Sequence, residues 1–156
     1  MTFKIRTANF EDVPLLIELY AGMDGESPLP NAIAEDIFAA IIKIPNYHVY
    51  LVFENHQSVA TFSLLHVPTM MHKDYHKYAI LDAVTVRPQV RNQGIGKQMM
   101  KAAMQLSADA GCYKLMLSSN LKREGAHQFY ESLGFQQHGW SFKCMLQTMG
   151  EGNINN

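Results

Sequence analysis

The sequence predicts an α/β fold in which helices flank a central mixed sheet, in the order β-α-α-β-β-β-α-β-α-β. Three observations carry this prediction. Segments with a strand period of two residues are interleaved with segments of helical period. A glycine-rich turn at residues 91–97 joins the hydrophobic run 80–86 to the long amphipathic segment 95–110, which is the order strand, turn, helix. The connections are short, with no internal repeat and no linker long enough to divide the chain. Its 156 residues fit one domain, expected to span residues 1–149, with 150–156 a flexible tail.

The elements follow in order. Phe3 and Ile5 alternate with Lys4 and Arg6, a half-buried first strand. Asn9 with Asp12 resembles a capping box, opening a helix that runs to about Gly22 with Leu15, Leu16 and Leu19 on its inner face. Residues 24–30 are rich in Gly and Pro and read as a loop. Ile33, Ile37, Phe38 and Ile41 mark a second helix that ends before Pro45. Strands are expected at 47–53 and 58–67, joined by the short hairpin connection 54–57. A polar loop, 69–77, leads to a long strand at 78–86. The helix after the glycine turn is followed by a strand-like run at 113–118. A short helix then carries Ala126, Phe129 and Leu133 at helical spacing. Gly134 stands where a helix stop places a left-handed residue, and a last strand follows Phe135.

The glycine turn consists of Arg91, Asn92, Gln93, Gly94, Ile95, Gly96 and Lys97. Glycine lets the backbone take positive φ and lets a ligand approach closely. The first N–H groups of the following helix lack intrahelical partners, and the helix dipole makes that end positive. With Arg91 and Lys97 beside it, this is a site for phosphate or pyrophosphate. Two familiar phosphate loops do not match. A Walker-type loop needs glycine where Arg91 stands and Ser or Thr where Gln98 stands, and a dinucleotide fingerprint needs a third glycine where Met99 stands.

The pattern that remains, Arg-x-x-Gly-x-Gly between a strand and a helix, resembles the acetyl-CoA pyrophosphate loop of the GCN5-related N-acetyltransferase (GNAT) superfamily. The later run Phe129-Tyr130, closed by Leu133-Gly134-Phe135, resembles that superfamily's second signature. The resemblance implies the GNAT fold, with a mostly antiparallel mixed sheet, and an enzyme that uses acetyl-CoA as cosubstrate. It places pantetheine along the backbone of Val84, Thr85 and Val86, pyrophosphate on residues 91–97, and a polar contact at Asn120. For Val84 and Val86 core packing is compatible with that role, and Asn120 equally suits an Asx-turn or helix cap.

Acetyl transfer to an amine expels a thiolate that needs a proton. A thiol titrates near 8.5 and a phenol near 10, so the Tyr130 hydroxyl is a candidate donor to that sulfur. Packing of a core aromatic is the alternative for Tyr130. The acceptor enters as an ammonium and must lose a proton before its nitrogen can attack. Asp82, a carboxylate in an otherwise apolar strand, is the first candidate base, against a surface polar group or salt bridge. His66 is the second candidate, against a solvated or structural histidine.

No metal site is expected. His72, Asp74 and His76 share a loop with no structured element to fix their geometry. Met99, Met100 and Met104 read as core filler, and Cys112 and Cys144 as small buried residues of a reducing cytoplasm. A net charge of −1 gives no field for nucleic acid, and no apolar run approaches a membrane span. The expected partner is a small-molecule amine, zwitterionic or anionic because the loops 24–31 and 69–77 mix Lys, His, Asp and Glu. A homodimer is compatible with the sequence. Peptide N-acetylation and non-catalytic acyl-CoA sensing are the competing functions. The run from Asn120 to Tyr130 resembles GNAT enzymes that acetylate small amino-metabolites, including aminoalkylphosphonates and amino sugars.

Overall fold

Five strands hydrogen-bond in the spatial order β1-β2-β3-β4-β5. They are β1 (Phe3–Thr7), β2 (Tyr47–Glu54), β3 (Gln57–Pro68), β4 (Lys77–Val86) and β5 (Leu115–Met116). The first four pair antiparallel in succession, and β5 alone runs parallel to its neighbour β4. The helices are α1 (Val13–Asp24), α2 (Asn31–Ile41), α3 (Ile95–Asp109) and α4 (Glu124–Ser132). This computed structural model describes residues 2–25 and 27–146. The chain forms two compact units, one ending at Leu117 and the other beginning at Ser118. The expected tail 150–156 lies outside the described residues.

Local chemistry explains the turns. Asn55 and His56 take φ of 47° and 67° between β2 and β3, the left-handed pair that a two-residue hairpin with the natural strand twist requires. Gly134 follows α4 with φ of 90°, the left-handed helix stop read from the sequence. Residues 58–64 of β3 are buried without interruption, so both faces of the sheet are covered there. Helices α1 and α3 each pack on β3 and β4, and Thr85 of β4 donates to Met23 Sδ of α1 at 3.1 Å, which fixes the α1 face. Ile95, Met99, Met100 and Ala103 of α3 are fully buried, the core role expected of these methionines.

One ion pair ties the first strand to the first helix. Arg6 of β1 donates through Nη1 and Nη2 to the two carboxylate oxygens of Asp12, at 2.6 and 2.7 Å. Asp12 also accepts the Asn9 N–H at 2.8 Å, completing the capping box. The box holds a 3-10 turn, Phe10–Asp12, that leads into α1. The Arg6 guanidinium holds the Asp12 carboxyl below its usual range, although burial opposes it.

Helix α2 forms where the sequence placed it; its buried residues are Ala34 and Phe38, and Ile33 and Ile37 are about half exposed, at 50% and 47%. The structure departs from expectation in three places. Cys144 is exposed and Cys112 only partly buried, so neither is the core residue expected. The strand read at 113–118 shrinks to Leu115–Met116. Residues 136–146 contain no strand, so the last expected strand is absent among the described residues.

The Arg6–Asp12 pair generates a prediction. Asp12→Asn should destabilise the fold by roughly 1.5–3 kcal/mol in denaturant titration, because a charge-assisted pair at a largely buried group is lost. A carboxyl with a depressed folded pKa stabilises above its unfolded value of about 3.9 and loses that contribution as pH falls through the folded value. The difference between wild type and variant should therefore shrink below about pH 4.

Candidate active site

The strand before the glycine turn is bent and left open. Thr61 pairs with Thr85 and Ser63 with Asp82, so β4 carries one more residue than β3 across that interval. Ala83 absorbs the extra residue at φ of 51°, a left-handed conformation that a side chain disfavours. Such a bulge bends the strand and sharpens its twist. On its other edge β4 pairs with β5 only through Ala79 with Leu115 and Ile80 with Met116. Among the described residues, Asp82, Ala83, Val84, Thr85 and Val86 thus have no strand partner on that edge. Apart from the carbonyls of Asp82 and Val86, which accept from Ser63 Oγ and Arg91 Nε, their outward N–H and C=O groups are available to an extended ligand. Arg87 anchors the end of this segment, donating to the Ser58 carbonyl at 2.6 Å and to Glu18 of α1 at 2.7 Å.

The turn itself uses two left-handed residues, Asn92 at φ of 63° and Gly94 at 84°. Gly94 is the N-cap of α3, and a Cβ added there would meet nothing within 4 Å. The space beside it is open. Gly96 belongs to α3 and has no positive φ, so the sequence-based reading of both glycines as left-handed is corrected to Asn92 and Gly94. Gln98 N–H bonds the Gly94 carbonyl at 3.1 Å, and the N–H groups of Ile95, Gly96 and Lys97 precede the first full turn. Lys97 is exposed at this positive helix end. Arg91 is exposed too, with Nε donating to the Val86 carbonyl at 3.0 Å, and Gln93 donates to the Gln89 carbonyl at 3.2 Å. An open strand edge running into an open, positively polarised helix terminus fits a phosphorylated, amide-bearing arm.

Asp82 lies beside this edge on the α1 face and is exposed. The sequence argument that it pays a burial cost therefore fails, while its accessibility to a ligand is gained. Tyr20 of α1 reaches over the same face. Burial raises its phenol, Thr61 opposes, and Tyr47 and the Asp82 carboxylate push the same way as burial. Tyr20 escaped the sequence reading. Its one signal was its spacing, one turn beyond Leu16 on the inner stripe of α1. His66 pairs with Ala79, three residues along β3 from Ser63, so it faces away from Asp82. It is nearly buried, with Nε2 lacking a partner, and burial followed by His48 and Lys77 lowers its pKa. Structure favours Asp82 over His66 as the accessible group.

A cleft of about 290 Å³ opens between α1 and α2, lined by residues that include Leu16, Tyr20, Leu29, Ile37, Phe38 and Val49. Loop 24–31, expected to supply charges, contributes Ser27 and Leu29 to it. Loop 69–77 lines a separate open depression with His72, Lys73 and His76. No group of three metal-binding side chains occurs among the described residues.

In the second unit, Asn120 Oδ1 accepts the Lys122 N–H at 3.0 Å, the Asx-turn alternative, and its carbonyl meets His127 Nε2 at 2.9 Å. Tyr130 sits on α4 between Phe129 and Phe135, with edge-to-face ring contacts at 5.3 and 5.6 Å. Burial raises its phenol and Arg123 opposes. The hydroxyl stays protonated at neutral pH, as a proton donor must.

Comparison with known proteins bears on this arrangement. The sequence model of the Acetyltransferase (GNAT) family matches residues 15–135. An aminoalkylphosphonate N-acetyltransferase of Salmonella typhimurium is 36% identical over 116 residues, covering 71% of each chain. An uncharacterized N-acetyltransferase of Bacillus subtilis is 30% identical over 134 residues, covering 85% of this chain and 88% of its own. Among solved structures, a putative acetyltransferase from Agrobacterium tumefaciens superposes with a TM-score of 0.84 at 32% identity, covering 92% of this chain and 99% of its own.

The two glycines of the turn should respond differently to substitution. Gly94→Val places a β-branched residue at positive φ and should destabilise the free protein by about 1–3 kcal/mol. Gly96→Ala, inside a helix, should leave stability unchanged or raise it by up to about 1 kcal/mol. Chemical denaturation without ligand reads both values.

Proposed function

The chain belongs to the GNAT family of acetyltransferases, and from that premise we propose that it transfers acetyl from acetyl-CoA to the primary amine of a small metabolite. The open edge of β4 leading into the α3 N-terminus is the observation that carries this reading. In the proposed complex the pantetheine amides bond the backbone of Val84, Thr85 and Val86. The pyrophosphate takes the N–H groups of residues 91–97, with Arg91 and Lys97 supplying charge and Asn120 a further polar contact. Residues 1–149 act as one domain, a reading supported by the family match running through both units. The Salmonella relative, named for acetylating aminoalkylphosphonates, supports a small acceptor over a peptide.

Chemistry then requires three proton movements. The acceptor ammonium gives a proton to Asp82, directly or through water, and its nitrogen lone pair attacks the thioester carbonyl. The carbon–nitrogen bond forms, the carbon–sulfur bond breaks, and the electron pair leaves with sulfur. The nitrogen sheds its second proton to solvent as the tetrahedral intermediate collapses, Asp82 returns its proton to solvent, and Tyr130 protonates the thiolate and is reprotonated from solvent. The balance is one amide, one free thiol and one released proton per turnover.

CoA at a hundredfold over its dissociation constant should stabilise the protein by about 2.7 kcal/mol, and no thermal shift at millimolar CoA would refute the site. Tyr130→Phe should lower turnover by roughly 10²–10⁴-fold in a thiol-release assay, with CoA binding little changed. Unchanged turnover would leave Tyr130 a packing residue. Asp82→Asn should remove the limb of the pH profile on which activity rises with pH. Retention of that limb would exclude Asp82 as the base. Turnover confined to peptides would replace the small-amine acceptor while leaving acetyl transfer in place.

A further inference from the structure

The cleft between α1 and α2 opens on the same face of the sheet as the proposed base and has a composition unlike the polar acceptor pocket that the loops suggested. Val49 pairs with Ser63 across β2 and β3, and Ser63 pairs with Asp82 across β3 and β4. Directly paired residues share a sheet face, so Val49, Ser63 and Asp82 form one row on the α1 face. Strands lie about 4.8 Å apart, which puts Val49 roughly 10 Å from Asp82. Val49 lines the cleft at one end of this row, and Asp82 stands exposed at the other. Tyr20 of α1 also lines the cleft, and the Asp82 carboxylate is one of the groups that disfavour ionisation of its phenol, after burial and Tyr47.

The remaining walls are apolar. Leu29 and Ile37 stand at the mouth, 45% and 47% exposed, and Phe38 and Leu16 are buried behind them. Among the described residues, no Lys, Arg or His lines the cleft. A phosphonate or phosphate placed there would lose its hydration without gaining a cation, which is strongly unfavourable. An alkyl chain or aryl ring would gain from leaving water. Half-exposed leucine and isoleucine at a concave site are the apolar lining that small-ligand pockets use.

From this arrangement we propose that the cleft takes the apolar tail of the acceptor, so that the preferred substrate is a primary alkylamine or arylalkylamine with its ammonium at Asp82. The inference rests on the acetyltransferase reading above and narrows its acceptor class. The tail lies along the Tyr20 ring from Val49 toward the hydroxyl, and the nitrogen emerges beside the open edge of β4.

The test is acetyl-CoA turnover against a series of linear primary amines from ethylamine to hexylamine, with 2-aminoethylphosphonate and glucosamine 6-phosphate alongside. Burial of each added methylene predicts a rise in kcat/KM of about fourfold until the cleft is filled. Ile37→Ser should reduce the hexylamine-to-ethylamine ratio by about tenfold. Ile33→Ser, on the same helix but outside the cleft, should preserve that ratio, and circular dichroism confirms that both variants fold. A flat series with measurable turnover would overturn the cleft inference alone. So would kcat/KM higher for either phosphorylated amine than for hexylamine, or an unchanged ratio in folded Ile37→Ser. If none of these amines is acetylated, the small-amine reading fails and the cleft inference fails with it.

Discussion

The extra residue in β4 is the constraint on which the rest of the site depends. A regular strand would continue its ladder on both edges. With Ala83 held at φ of 51°, β4 bends after its last pair with β5 at Ile80. The bend leaves the following main-chain groups without a neighbouring strand. An edge without a neighbouring strand leaves these groups available to an extended polar ligand. The same bend directs the chain through Arg87 into the turn that opens α3. Strain at Ala83 is held in place by the ladder to β3 on one side and by the anchoring of Arg87 to Ser58 and Glu18 beyond it.

Two surfaces meet at this bend, and their chemistry differs. The open edge and the α3 N-terminus offer hydrogen bonds and positive potential. The α1 face offers a solvent-exposed carboxylate, a phenol and an apolar cleft. That division suits a two-substrate transfer, with a phosphorylated donor on one surface and an amine on the other. Tyr20 links cleft and carboxylate because α1 packs on β3 and β4, and α1 is positioned in turn by the Arg6–Asp12 pair at its start.

Much of this was legible in the sequence. The turn proposed to bind phosphate announced itself through Gly94, Arg91 and Lys97 between a strand and a helix, since those residues have direct physical consequences at that position. The capping box of Asn9 and Asp12 and the stop at Gly134 were legible for the same reason. The bulge was not, because Ala83 is an ordinary strand residue whose left-handed φ arises from tertiary pairing. Gly96 misled because glycine at a turn and glycine in the first helical turn look alike in sequence. Asp82 was singled out by a burial cost that the structure does not impose, and Tyr20 was hidden among the hydrophobic residues of α1. The cleft could not be read at all, since it depends on how α2 presents Ile37 outward and Phe38 inward.

Amide hydrogen exchange with and without CoA tests the central claim most directly. If the acyl carrier adds to the open edge of β4 and seats its pyrophosphate at the α3 N-terminus, the N–H groups of residues 84–86 and 94–97 gain protection. Residues 31–41 of α2 should be unchanged in the same experiment. CoA binding without added protection at 84–86, or with protection confined to α2, would contradict the account.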